Sequence, residues 1–420
     1  MDRRGFLAAA TGFAVALSCS PALAETRRLV VMTSYPQEVI SRYLDAFAKV
    51  APGLRVDVVW HSGDDARDYL LGAGKGQVDV YWTPSVRTFF ELKQKGALRK
   101  LEIDRDGLPA RIGHQDISDP DGYYAATEIA GYGLVLNPAA LAKAGLPEPK
   151  EWTDLAKPIY AGLISMPVPS HIGFAPTITE IILQAYGWTE GWALLARIAA
   201  NASLQAGRGD DFIGAMSRGE KAIGITIDFF AAQAIAKGAP LKFVYPTANA
   251  FEPANIAIPV DAPNADGALA YVNFVLSAAG QRLLVDPDVR RLAVRPSVYA
   301  EAPAGSFNPW RPEVADHLSY DAKLFVARRD LDNALFDKMI FEPRDKLAAA
   351  WAAVRKSEQP QAEALLTAVP LDEAEALTLA PAFAGRRNDI APEGLAAEAA
   401  WSRQVDTNIA AALALATKAP

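Results

Sequence analysis

The chain has 420 residues, 51% of them hydrophobic, with 42 Lys and Arg against 49 Asp and Glu for a net charge of −7. That length predicts two or three domain-sized units with ample apolar material for their cores, and the acidic balance argues against nucleic acid, whose phosphates need a basic face. The one cysteine, Cys19, lies in what reads as a removable leader, so the mature chain has no thiol for a disulfide, a thiolate metal site or a nucleophile.

Residues 1–24 read as an export leader of the twin-arginine type. Arg3 and Arg4 precede Gly5-Phe6-Leu7, an apolar run extends from Ala8 to Leu17, and Ala22-Leu23-Ala24 supplies small residues for cleavage before Glu25. Cleavage removes Asp2, Arg3 and Arg4 and lowers the net charge by one more. The run is short for an uncut anchor, since a span takes roughly 20 residues, and Leu17 sits too close to Cys19 for a lipoprotein site. No later apolar run approaches span length. The mature chain is therefore expected in the periplasm.

After the leader, strand, loop and helix alternate. Arg28–Met32 is an apolar strand ending in Thr33-Ser34-Tyr35, and Val39, Ile40, Tyr43, Leu44 and Phe47 follow at helical spacing. Leu54–Trp60 alternates as a strand and ends in His61-Ser62-Gly63, with a helix around Ala66–Ala73. Val78–Trp82 is a third strand, ending in Thr83-Pro84-Ser85 before a helix over Val86–Lys95. Such alternation predicts an α/β fold with a parallel sheet, in which ligands bind at the carboxyl ends of the strands. Small hydroxyl residues stand at all three ends.

A second α/β block begins near Gly131. Its strands are read at Gly133–Leu136, Gly162–Met166, Ser203–Ala206 and Ala222–Ile227, with a helix over Pro176–Tyr186. Leu241–Pro246 and Asn255–Pro259 read as extended, the second as a return to the first block, and Ala265–Leu284 reads as one helix. The expected organisation is a leader over 1–24, lobe one over 25–130 and 255–302, lobe two over 131–254, and an α-helical C-terminal extension over 303–420. Alanine-rich stretches at Lys346–Val354, Glu373–Leu379 and Leu395–Thr417 predict helices with apolar faces packed on a lobe or on one another. Two lobes joined by chain crossings imply a hinge and a central cleft.

The cleft candidates follow from position and chemistry. Thr33, Ser34, Ser62, Thr83 and Ser85 are donors at one sheet edge, with Tyr35, Trp60 and Trp82 as aromatic neighbours. Aromatic faces stack on sugars or amines, though core packing is the simpler role for Trp60. Ser170-His171 precedes a helix, whose N-terminus suits a phosphate or carboxylate; the alternative is a helix cap with His171 exposed. Gly207-Arg208-Gly209-Asp210 offers close backbone approach and a guanidinium fork, or a surface turn with Arg208 paired to Asp210 or Asp211. Asp228 can accept hydrogen bonds from polyol hydroxyls, or serve as a cap or ion-pair partner. His61, His114, His171 and His317 lie far apart, with no HExxH spacing, and no GxSxG or SxxK motif is present. Neither an enzyme nor a cofactor or metal site is expected.

Four stretches carry a resemblance: Thr33-Ser34-Tyr35, Val78-Asp79-Val80-Tyr81, Tyr132 to Asn137, and Ser217 to Gly224 with its Gly219-Glu220 turn. In order and spacing, over roughly residues 27–300, the chain resembles the extracytoplasmic solute-binding proteins of ABC importers, in the class of ferric-iron, polyamine and phosphorylated-sugar binders. Ser170 to Phe174 and Gly187 to Trp192 resemble its phosphoglycerate and hexose-phosphate branch. The resemblance implies a two-lobe fold that closes on a small, anionic solute and delivers it to a permease in the inner membrane. Alternatives are a sensor that presents its solute to a membrane histidine kinase, and a ferric-complex or polyamine binder. Ferric binders hold iron with adjacent tyrosines where this chain has Asp228-Phe229-Phe230, and phenylalanine has no oxygen for a hard cation. Tyr123-Tyr124, before the crossing strand, reads as hinge packing. The stretch 303–420 lies beyond the resemblance.

Overall fold

The computed structural model describes residues 27–61, 63–85, 87–208, 211–303, 306–315, 319–357, 359–384 and 390–417. The leader expected over 1–24, Ser62, Gly209 and Asp210 lie outside them.

The first lobe is built by β1 (Arg27–Thr33), α1 (Gln37–Val50), β2 (Leu54–Trp60), α2 (Gly63–Leu71), β3 (Val80–Thr83) and α3 (Arg87–Gln94). β1 lies between β2 and β3, parallel to both, which is why its centre is a continuous apolar run. β2 is an edge, and Trp60 at its end is 49% exposed rather than core. Helices cover both faces: Val39, Ile40, Tyr43 and Phe47 of α1 pack on one, and Leu70, Phe89 and Leu92 of α2 and α3 on the other. The buried Asp79 accepts the backbone N–H groups of Val30 at 2.7 Å and Asn264 at 2.6 Å, tying β3 to β1 and to the returning chain.

A short hairpin, β4 (Arg111–Ile112) and β5 (Gln115–Asp116), leads to β6 (Ala125–Leu136), twelve residues long and buried throughout. β6 joins the two lobes. Its first half pairs with the returning strand and its second half with lobe two. The strand begins eight residues before the Gly133 predicted from the pattern, because Glu128 and two glycines interrupt its apolar signal. Gly133 is required there: a Cβ would stand 2.2 Å from the Val244 carbonyl oxygen.

Lobe two follows with α4 (Pro138–Lys143), β7 (Ile164–Pro167), α5 (Ala175–Tyr186), α6 (Trp188–Asn201), β8 (Ala202–Gln205), α7 (Asp211–Ser217), β9 (Ile223–Ile227), α8 (Asp228–Ala236) and β10 (Lys242–Val244). Asn137 caps α4 by accepting the Ala140 N–H at 2.9 Å. β11 (Phe251–Ala257) returns antiparallel between β6 and β3. The chain then forms α9 (Ala265–Leu276), α10 (Ala278–Val285) and β12 (Leu292–Ala293). The single helix expected over Ala265–Leu284 is two, because the Ser277 hydroxyl accepts the Gly280 N–H at 3.2 Å and starts a new helix. The sheet order is β2-β1-β3-β11-β6-β9-β7-β8, with β10 and β12 also against β6.

The C-terminal segment is helical: α11 (Pro312–Ala315), α12 (Ala322–Phe336) running into a π-helical turn at Asp337–Phe341, then α13 (Arg344–Ser357), α14 (Pro360–Thr367), α15 (Glu373–Leu379) and α16 (Pro392–Thr417). Its apolar faces share one core with lobe two, in which Ile182, Trp188 and Trp192 meet Leu331, Leu335, Trp351, Leu366 and Trp401. Arg328 of α12, 1% exposed, pairs with Glu180 at 2.9 Å, Glu373 at 2.5 Å and Asp332 at 3.5 Å.

Candidate functional site

A cavity of about 460 Å³ lies where the lobes meet. Ser34, Thr83, Ser85 and Arg87 line it from lobe one, and Gly173, Phe174, Thr177 and Phe229 from lobe two. Glu128, Ala130, Tyr132 and Glu252, on the two crossing strands, form its floor. Phe325 and Arg329 reach it from α12.

The rim of lobe one is the carboxyl edge of the parallel strands, where the strand order reverses. The Ser34 and Thr83 hydroxyls hydrogen-bond to each other across β1 and β3. Ser85 accepts the Thr88 N–H at 3.2 Å and donates to Thr88 Oγ1 at 2.9 Å, capping α3. Thr33 is fully buried, and its Oγ1 accepts the Tyr35 N–H at 3.1 Å within the turn. Tyr35 and Trp82 pack into lobe one with ring centroids 4.8 Å apart. Trp82 Nε1 donates to Thr127 Oγ1 at 2.8 Å, so this aromatic pair sits beneath the rim rather than on it.

The floor holds two carboxylates. β12 lies antiparallel beside β6 and brings Arg291 Nη1 to Glu128 Oε1 at 2.5 Å. The Arg291 guanidinium lies 4.4 Å from the Phe229 ring centroid and 5.1 Å from that of Tyr35. Glu128 Oε2, Arg291 Nε and the Tyr35 hydroxyl are buried without a full hydrogen bond, and the hydroxyl lies close enough to Glu128 to favour its ionised form. Burial raises the Glu128 carboxyl above its usual range, against the pull of Arg291. Glu252 accepts the Tyr132 hydroxyl and the Thr177 hydroxyl, the latter at 3.0 Å. Burial raises this carboxyl too, opposed by those hydrogen bonds and by the charge of Arg329.

The other candidates stand elsewhere. Ser170 donates to Asp337 Oδ1 at 2.7 Å, and its hydroxyl is 2.8 Å from His171 Nδ1. The His171 ring is edge-on to Phe341 at 5.1 Å, so this loop faces the C-terminal segment. Arg208 is exposed on the loop after β8, away from the cavity lining. Asp228 starts α8 and accepts the Gly131 N–H at 2.7 Å and the Tyr245 hydroxyl at 3.1 Å. Burial pushes its carboxyl up to about 7. It joins lobe two to β6 beside the cavity. Tyr124 packs 5.5 Å from Phe89 in lobe one. Among the described residues, no group of His, Asp and Glu is placed to hold a metal ion.

Sequence reasoning missed Glu128, Glu252, Arg87, Arg291 and Arg329. The first two carried a signal: each is a lone carboxylate in an apolar strand, and a buried charge needs a partner or a purpose. A larger cavity, about 600 Å³, lies between residues 114–121 and 319–326. Its Lys93 already pairs with Asp119 and Asp121, each at 2.5 Å, and no strand end of the parallel sheet opens into it. The smaller one draws on the strand ends of lobe one and on the crossing strands.

Comparison with known proteins gives a consistent result. A family described as bacterial extracellular solute-binding protein matches residues 79–310. The phosphoglycerate transport regulatory protein PgtC of Salmonella typhimurium is 28% identical over 357 residues, covering 84% of this chain and 88% of that protein. The periplasmic binding protein AfuA of Actinobacillus pleuropneumoniae, solved with fructose-6-phosphate, superposes with a TM-score of 0.59 at 21% identity, over 77% of this chain and 97% of that one. The spermidine/putrescine substrate-binding protein PotD of Streptococcus pneumoniae gives 0.59 at 20%, over 74% and 99%. These two likenesses establish the shared two-lobe fold.

Proposed function

We propose that this chain, which belongs to the bacterial extracellular solute-binding protein family, captures a small phosphorylated sugar or organic phosphate in the interlobe cavity and delivers it to an ABC permease of the inner membrane. Closure of the lobes is the working step. A solute that touches both lobes stabilises the closed state by its differential affinity for it. One observation carries the reading: the cavity draws its polar groups from both lobes, with Glu128 and Glu252 of the crossing strands beneath them. The hydroxyls of such a solute suit these carboxyls as donors. The Ser34, Thr83, Ser85 and Thr177 hydroxyls and the Arg87 guanidinium suit its anionic group. The name of the Salmonella relative and the fructose-6-phosphate complex of AfuA support this class of solute. The Arg3-Arg4 leader supports export to the periplasm by the twin-arginine route.

The test is calorimetric titration of the mature chain with fructose 6-phosphate, 3-phosphoglycerate, fructose and spermidine, alongside solution scattering. A phosphorylated compound is expected to bind and to reduce the radius of gyration. Binding of spermidine alone would replace this reading with an amine carrier that uses Glu128 and Glu252. A second role, presenting the bound form to a membrane sensor kinase, is favoured by the word regulatory in the relative's name. It predicts that a gene deletion abolishes solute-induced transcription even when uptake is supplied by another carrier.

A further inference from the structure

Helix α12 lies beyond the stretch matched by the family, which ends at residue 310, yet it lines the cavity. We propose that α12 is a third wall of the solute site, and that its Arg329, together with Arg87 of lobe one, clamps the solute's anionic group in place of the internal carboxylate of Asp330. The proposal rests on the reading of the interlobe cavity as the solute site.

The helix is built to hold such a position. Its Arg328, Leu331, Asp332 and Leu335 are buried against lobe two. Arg328 pins it there through Glu180 and through stacking on Trp188, 5.2 Å from the ring centroid. Phe325 and Arg329, four residues apart and so on one helix face, are the two α12 side chains that line the cavity. One face is locked and the neighbouring face is presented.

The electrostatics show what that face accepts. Arg87 comes from the start of α3 in the opposite lobe, where its Nε donates to Glu91 at 2.7 Å. Its Nη1 reaches both oxygens of Asp330, at 3.1 and 3.4 Å. Arg329 Nη1 stands 3.5 Å from the same Asp330 Oδ1. Two guanidinium groups, one from each side of the cavity, therefore converge on one carboxylate oxygen. A phosphate or carboxylate presents the same acceptor chemistry, and a phosphate carries more charge and more oxygens for planar forks. Glu252 lies within the field of Arg329 on the floor. Its oxygens suit a hydroxyl donor of the solute next to the anion.

The experiment uses the full mature chain with fructose 6-phosphate, 3-phosphoglycerate and inorganic phosphate as probes. Arg329→Gln and Arg87→Gln are each expected to weaken the phosphorylated probe that binds wild type by roughly 10- to 100-fold, the range for loss of a charge-assisted hydrogen bond. Arg329→Lys, which keeps the charge and loses the fork, is expected to fall between. Lys323→Gln, on the same helix but outside the cavity, should bind as wild type does. Asp330→Asn removes the internal competitor and should tighten binding. Circular dichroism melting confirms that each variant is folded; Arg329 is 27% exposed and its partner Asp330 23%. Wild-type binding that Arg329→Gln leaves unchanged overturns the clamp and spares the reading of the cavity. A wild-type chain that binds none of the three probes overturns that reading, and the clamp with it.

Discussion

The two lobes are made to one plan and finished differently. Lobe one closes its core with what lies nearby in the sheet. α1, α9 and α10 cover one face around Trp82, Tyr43 and Tyr271, and α2 and α3 cover the other. Its buried Asp79 is satisfied entirely by backbone N–H groups. Lobe two covers one face with α7 and α8, but on its other face α5 and α6 are themselves covered by helices from much further along the chain. Where it meets those helices it buries a side-chain cluster instead, Arg328 with Glu180 and Asp332, and the half-exposed Glu373 at its edge. A lobe finished by remote helices exposes a wide apolar surface if those helices are missing. It also places those helices where they can take part in the site.

Removing residues 303–420 is the harshest test of that contrast. It uncovers Ile182, Trp188 and Trp192, and each large apolar side chain returned to water costs about 1.5–3 kcal/mol. Lobe two should lose its cooperative transition in calorimetry and become sensitive to protease, while lobe one keeps its own. A truncated chain with both transitions intact would break the comparison. Arg328→Ala comes next. It strands Glu180 and Asp332 in a dry site, and breaking a buried pair costs about 3–5 kcal/mol. Burial already raises the Asp332 carboxyl well above its usual range, with Glu180 adding to the rise. Its protonated fraction grows as the pH falls, so the loss measured by urea unfolding should be smaller at pH 5 than at pH 8.

Trp82→Phe is the matching probe in lobe one. The indole is fully buried and hydrogen-bonded to Thr127, whose hydroxyl also donates to the Ala254 carbonyl at 3.2 Å. The smaller ring leaves a void and one unmet acceptor, together about 1–3 kcal/mol. The damage should stay local, with protection from hydrogen exchange falling in β1 and β3 and unchanged in β7 and β8. Equal loss in both lobes would show that they unfold as one unit.

Legibility followed the same division. The three parallel strands of lobe one were readable to within two residues at each end, because apolar runs ending in Thr, Ser or Pro are local signals. The hydroxyl rim followed from them, since a parallel sheet exposes its ligand edge at strand ends. Glu128 was harder to read. Its partner, Arg291, is 163 residues away, and no periodicity announces an ion pair at that separation. Ser170-His171 read as an anion site because a helix follows; the helix begins at Ala175, and Asp337 takes the Ser170 hydroxyl. Arg329 was invisible for a simpler reason. It sits on α12, over which the sequence pattern predicted no helix, and only the packed structure tells which face of that helix meets the cavity.

The gentlest probe is at the joint between the lobes. Asp228 holds the Gly131 N–H of β6 and the Tyr245 hydroxyl, and burial raises its carboxyl from the ordinary 3.8 to about 7. Between those values the folded chain binds a proton that the unfolded chain releases. The stabilisation is therefore fully present below about pH 4 and is lost as the pH rises through 7. Asp228→Asn retains an oxygen for both hydrogen bonds and has no charge to bury. The variant's advantage over wild type should grow between pH 5 and pH 8, by on the order of 2–3 kcal/mol, in urea unfolding at the two pH values. A gap that does not change with pH would mean that Asp228 stays ionised in the fold. The joint would then be held by its charge rather than by the shape of its hydrogen bonds.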